Sequence, residues 1–124
     1  MFSEESLTSS GKHLVCDIKQ IKNADLLNNL NKIIEIFDTI CHKYEYQVLQ
    51  KIEHIFDPQG FSVIYLLSES HMSIHTFPEK NYAAIDLYTC RNYQDNTVYK
   101  EIYDYLIEQF DAKMENPIII DRNF

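Results

Sequence analysis

The stretch SESHMSIHTFPEKNYAAIDLYTC, residues 68–90, gathers serines, threonines, His71, His75, several carboxylates and Cys90 into a segment whose alternation otherwise suits two strands and a turn. Three kinds of chemistry are open to it. His71 and His75 are metal-ligating types, but residues four apart converge on a helix rather than on a strand. A serine or Cys90 with a histidine base has the composition of a covalent-catalysis site, although no GxSxG elbow accompanies it. Alternatively, His71, Ser73 and His75 form the polar side of a half-buried strand whose other side is Met72 and Ile74.

The flanking sequence predicts what must position these groups. Residues 12–20, KHLVCDIKQ, suit an opening strand behind a loose SSG leader. From Asn23 onward, Leu26, Leu27, Leu30, Ile33, Ile34, Phe37, Ile40, Cys41 and Tyr44 recur at three- and four-residue intervals, which predicts one long amphipathic helix capped by Asn23 or Asp25. The period then becomes two. Val48, Gln50, Ile52, His54 and Phe56 share a strand face, and DPQG (57–60) turns the chain. FSVIYLLS (61–68) reads as a buried strand, HMSIHTF (71–77) and YAAIDLYTC (82–90) alternate, and PEKN (78–81) is a turn. Val98, Ile102, Tyr105, Leu106 and Phe110, flanked by Tyr99 and Tyr103, predict a second helix capped by Asn96 or Thr97. IIID after Pro117 predicts a last strand.

This order of elements predicts an α+β fold, a two-layer sandwich with a mostly antiparallel sheet and two helices on one face. The uncovered face, in a chain that is 13% aromatic with nine tyrosines, predicts pairing with a second copy, a homodimer. With 124 residues, 45% of them apolar, one core and a single domain spanning 1–124 are expected. A net charge of -8 opposes nucleic acid and anionic membrane surfaces as partners and tolerates a cationic small molecule. Cys16, Cys41 and Cys90 are widely spaced and form no CxxC pair, so neither a disulfide framework nor a zinc site is expected. The acidic start, MFSEESLTSSGKH, is unlike a signal peptide, and no apolar run is long enough to cross a bilayer. A cytoplasmic protein is expected.

The pattern SESHxSIHTxPExxYAAxDxxTC resembles the prokaryotic type of S-adenosylmethionine decarboxylase, a self-processing pyruvoyl enzyme of polyamine (spermidine) synthesis. HIFDPQGFS (54–62) is similar to the family's H-x-F-x-P-x-G-x-S, and GKHLV (11–15) to its G-[RK]-H-L. The resemblance implies that the chain cuts itself between Glu69 and Ser70. The Ser70 hydroxyl attacks the Glu69 carbonyl carbon, an N-to-O acyl shift gives an ester, and β-elimination followed by hydrolysis leaves a pyruvoyl group heading an α-chain (70–124), apart from a β-chain (1–69). Ser62 and His75 match positions that assist, His75 as the proton acceptor. The pyruvoyl group, a cofactor made from Ser70, then forms a Schiff base with the substrate amine and takes up the electrons released with carbon dioxide, with no metal. Cys90 returns the proton as general acid.

The resemblance also assigns Phe56 to stacking on adenine, Glu79 to the ribose hydroxyls and Phe77 to the substrate pocket, where the family usually has tryptophan. Two further departures border that pocket. Arg91 replaces a glycine after the cysteine, and Ile55 replaces a basic residue. Because the departures touch the pocket and spare Ser70, His75 and Cys90, two other functions stand beside the first. One is a pyruvoyl-dependent arginine or ornithine decarboxylase of the same lineage, and the other an inactive homologue that binds or regulates a partner.

Overall fold

Period-two alternation builds most of the molecule. A computed structural model describes residues 8–124, so the reading of the acidic start lies largely outside the described residues. Six strands, β1 (Ser9–Ile18), β2 (Val48–Ile55), β3 (Phe61–Leu67), β4 (Ser70–Phe77), β5 (Tyr82–Thr89) and β6 (Ile118–Asn123), form one sheet in the order β2-β3-β4-β5-β1-β6. Every neighbouring pair is antiparallel. Two helices, α1 (Leu30–Lys43) and α2 (Thr97–Phe110), cover one face. This is the α+β sandwich expected.

The covered face supplies the core. Val63 and Tyr65 of β3, Met72 and Ile74 of β4, Ile85 and Leu87 of β5, and Leu14 and Cys16 of β1 pack against Ile33, Phe37 and Ile40 of α1 and Tyr99, Ile102 and Phe110 of α2. Their removal from water is the main stabilising term, and truncating one such leucine or isoleucine to alanine costs about 2–5 kcal/mol. The opposite face is left open. Register places Ser62, His75 and Ala84 in one row across it, and His71, Tyr88, His13 and Ile120 in another. Ile52, Ile64, Leu66, Phe77, Ile118 and Ile120 are also on this side, all exposed.

Five local expectations are corrected. The first helix begins at Leu30 rather than near Asn23. Residues Ala24–Asn28 form a 3-10 turn that buries Leu26 and Leu27, and the Asn29 side chain accepts from the Lys32 amide at 3.1 Å to cap α1. Asn96 precedes α2 but its side chain accepts from Lys12 Nζ at 2.6 Å, while Asp95 takes the Thr97 amide at 3.0 Å. The SSG leader is part of β1. FSVIYLLS is half open, with Ile64 and Leu66 facing outward, and an irregularity between Val48 and Gln50 takes Val48 off the face of its strand mates.

Candidate active site

Only Ser68 and Glu69 connect β3 to β4, with Leu67 and Ser70 paired across the turn. Two-residue hairpins favour Gly, Asn or Asp where φ is positive. Here Glu69 adopts φ 58, a left-handed conformation that costs a residue with a Cβ about 1–3 kcal/mol. The strain falls on the residue whose carbonyl precedes Ser70.

Ser70 is buried, and its Oγ accepts the Cys90 backbone N–H at 3.1 Å. The Cys90 thiol in turn donates to Glu69 Oε2 at 3.6 Å. Cys90 therefore touches both sides of the Glu69–Ser70 bond. These residues line a cavity of about 300 Å³ whose other walls are Tyr46, Gln47, Leu67 and Arg91.

Gly11 and Thr89 set the position of Cys90. Gly11 has φ +129, and a Cβ there would lie 1.9 Å from the Thr89 carbonyl oxygen and 2.9 Å from the Cys90 Cα. Only glycine lets β1 approach so closely. Thr89 is fully buried and its hydroxyl shares a 2.6 Å hydrogen bond with Tyr99 of α2, so the strand end is held from both layers.

A second constellation occupies the other end of β4. Ser62 Oγ and His75 Nδ1 share a hydrogen bond of 2.6 Å across the β3–β4 register. With Phe56, Phe77 and Glu79 they line a cavity of about 310 Å³. Phe56 packs edge-on to His54 with ring centroids 4.8 Å apart, and Phe77 lies 5.5 Å from Tyr82. Gly60, at φ +86, lets the turn after Phe56 press against the Thr76 carbonyl, and Glu79 projects from the short turn Pro78–Lys80.

Within one chain these two constellations do not meet. Five strand positions separate Ser70 from His75, roughly 16 Å along β4 at about 3.3 Å per residue, and the odd spacing turns them to opposite faces. The structure brings Glu69, Ser70 and Cys90 together, and Ser62, His75, Phe56, Phe77 and Glu79 together, as two groups.

His71 does not join His75. It faces His13 and Tyr88, each with ring centroids 5.9 Å away. Among the described residues His13 Nε2 is buried without a hydrogen-bond partner, the Asp86 carboxylate being 3.9 Å away. Burial, the largest influence, holds the His13 pKa below 6.5; Asp86 opposes this, while His71 and Arg122 add to it. Among the described residues no cluster of three or more histidine, cysteine or acidic side chains could hold a metal, and no helix is long and apolar enough to cross a membrane.

In the sequence, Arg91 is visible only as a departure and Gly11 only as a motif letter. Tyr46, Tyr93 and Tyr99, which brace the Cys90 end, carried no signal beyond helical or loop placement. A further concavity of about 580 Å³, larger than either of these, is an open groove on α1 between Asn31 and Lys43 and holds none of the candidate residues.

A family model described as S-adenosylmethionine decarboxylase matches residues 12–123. An S-adenosylmethionine decarboxylase proenzyme of Clostridium botulinum (strain Langeland) is 40% identical over 99 residues, covering 80% of this chain and 82% of that one. One of Pelotomaculum thermopropionicum is 37% identical over 103 residues, 83% and 79% of the two chains. The crystal structure of the adenosylmethionine decarboxylase from Aquifex aeolicus VF5 superposes with a TM-score of 0.80 at 26% identity, over 94% of this chain and 93% of that one. On its sequence, its six-stranded sheet and its two helices, the chain belongs to the S-adenosylmethionine decarboxylase family.

Proposed function

We propose that this chain is the precursor of a cytoplasmic, pyruvoyl-dependent S-adenosylmethionine decarboxylase that cuts itself between Glu69 and Ser70 and works as a homodimer. The observation that carries the reading is the Glu69–Ser70 linkage. A strained left-handed residue precedes a serine whose hydroxyl is already fixed by the Cys90 amide.

The residues at that linkage fit a pyruvoyl group. Ser70 supplies its carbons, the cut leaves it at the first position of β4, and a cavity walled in part by the exposed Glu69 lies beside it. Once formed, the group supplies a ketone that takes the substrate amine and accepts the electrons released with carbon dioxide. The chain's own residues do the rest. The left-handed backbone at Glu69 stores about 1–3 kcal/mol that breaking the following peptide bond can release. The Cys90 N–H, bonded to Ser70 Oγ, orients the nucleophile. The Cys90 thiol, on the same wall, delivers the proton that the departing carboxylate leaves wanting.

His75, the proton acceptor in self-cleavage, cannot serve Ser70 of its own chain across roughly 16 Å of extended strand. A second copy laid on the open face, reaching round the two-residue β3–β4 turn to the Ser70 side, supplies it. The exposed Ile64, Leu66, Ile118 and Ile120 provide apolar contact for such a pairing, and the partner's Ser62, His75, Phe56, Phe77 and Glu79 then complete the site, with the aromatic rings available to adenine and the sulfonium cation. No metal is assigned a role.

Mass spectrometry of the purified chain should show fragments 1–69 and 70–124, and Ser70→Ala should abolish both the cut and the decarboxylation. Carbon dioxide release should favour S-adenosylmethionine over arginine and ornithine. A chain that stays whole removes the enzyme reading, and preference for a free amino acid replaces the substrate. The shared site has its own test. Mixing Ser70→Ala and His75→Ala chains should restore cleavage of the latter, to about a quarter of normal site content under random pairing. No restoration removes the two-copy site.

A further inference from the structure

Three segments that are distant in sequence converge on the Ser70 cavity: the α1–β2 connection at residues 44–47, the Ser68-Glu69 turn, and the end of β5 at Cys90–Arg91. Hydrogen bonds link them in a closed circuit. The Ser68 amide donates to the Gln47 carbonyl at 3.0 Å, the Cys90 amide donates to Ser70 Oγ at 3.1 Å, and Arg91 closes the loop. Its Nη1 donates to the Tyr44 carbonyl at 3.2 Å and its Nη2 to the Glu45 carbonyl at 2.6 Å.

The guanidinium suits this place on three counts. Tyr44 is the residue that terminates α1, so the two carbonyls lie at the negative end of a helix dipole. The guanidinium carbon stacks 5.0 Å from the centroid of Tyr46. Tyr46 is itself buried and shares a 3.0 Å hydrogen bond with Tyr93, two residues beyond Arg91. Glycine, the residue the motif has at this position, could make none of these contacts.

From this circuit, and resting on the function proposed above, we infer that Arg91 is a positioning residue, which ties the thiol-bearing strand end to the 44–47 connection and so fixes Cys90 against the Glu69–Ser70 bond. We assign it no role as a carboxylate ligand: each terminal nitrogen already donates one N–H to a backbone carbonyl, and a cation on the substrate carboxylate would stabilise a charge that the reaction must remove, favouring the ground state over the transition state.

The test uses the full-length chain carrying Arg91→Met, Arg91→Gly or Arg91→Lys. Methionine keeps the apolar stem without the fork, and lysine keeps a charge that reaches one carbonyl at a time. Self-cleavage of Arg91→Met should slow by about tenfold, the scale of a sub-ångström misplacement of reacting groups, with lysine intermediate and thermal midpoints close to the parent's. In the cleaved enzyme kcat should fall with KM little changed.

A misplaced thiol also protonates the wrong carbon. A proton delivered to the carbon that came from Ser70, followed by addition of one water, leaves the substrate's amine nitrogen on the protein as alanine 70 and releases the remainder of the substrate as an aldehyde. The alanine-headed α-chain, counted per turnover by mass spectrometry, should therefore rise in Arg91→Met and Arg91→Gly. A merely structural loss would not raise it. If the parent cleaves and decarboxylates while all three variants match it in cleavage rate and alanine yield, the inference is overturned and the proposed function stands. If the parent itself does not cleave, the proposed function falls and takes this inference with it.

Discussion

The two ends of β4 differ in kind. At its start, Ser70 is buried, the preceding residue is strained, and the contacts come from backbone amides and a thiol held by glycine and tyrosine packing. At its far end, Ser62 and His75 form an exposed pair on an open sheet, edged by the half-exposed rings of Phe56 and Phe77. One end is organised within the chain. The other has reactive groups, a concave surface and nothing opposite. On the function proposed above, neither end is a complete site, and what one lacks the other would present from a second copy.

Separating the two roles gives the largest expected effect. Cys90→Ala should still cut itself but lose about 10²–10⁴ in kcat, the usual worth of a positioned acid, whereas His75→Ala should fail at the cut. Timed gels followed by carbon dioxide assays on the cleaved fraction separate the two, and equal defects in both steps would erase the distinction. Relieving the strain comes next. Glu69→Gly makes the left-handed conformation nearly free, so cleavage should slow by about five- to tenfold, the kinetic equivalent of about 1–1.4 kcal/mol, as read from precursor half-life. A faster cut would mean the strain plays no part.

The smallest effect concerns titration of the open face. His13 holds its proton less tightly when folded than its ordinary 6.5, chiefly through burial. Below that value the unfolded chain takes up a proton that the folded chain resists, so this contribution to stability is complete above about pH 6.5 and is lost as the pH falls. His13→Asn should flatten the decline in thermal midpoint between about pH 7 and pH 5. An unchanged slope would assign the decline to other groups.

Much of the fold was legible because alternation and helical spacing act locally. Met72 and Ile74 opposite His71, Ser73 and His75 could be read from period two alone, and so could the stripe from Ile33 to Cys41. The boundaries were less legible. Asn29 can end or begin a helix, and its side-chain bond to the Lys32 amide decides the matter only in three dimensions. In the site, Ser70 and Cys90 were named from motif letters, and their contact follows from β4 and β5 being neighbours in the sheet. The separation of His75 from Ser70 was implicit in their five-residue spacing once β4 was a strand. The tie from Arg91 to Tyr44 and Glu45 spans 47 and 46 positions and has no local signature.

The strand order carries one more consequence. Of the six strands, β1, β2 and β3 lie before Glu69 and β4, β5 and β6 follow it, β4 starting at Ser70, yet β1 is wedged between β5 and β6 while β3 borders β4. Severing the backbone at residue 69 would thus leave two interlaced pieces sharing three ladders of main-chain hydrogen bonds and one apolar interior. The Gly11 that seats Cys90 would belong to one piece and Cys90 to the other. Neither fragment could drift away without dismantling the sheet, so a cut molecule should copurify as one body with two chains and separate only on unfolding.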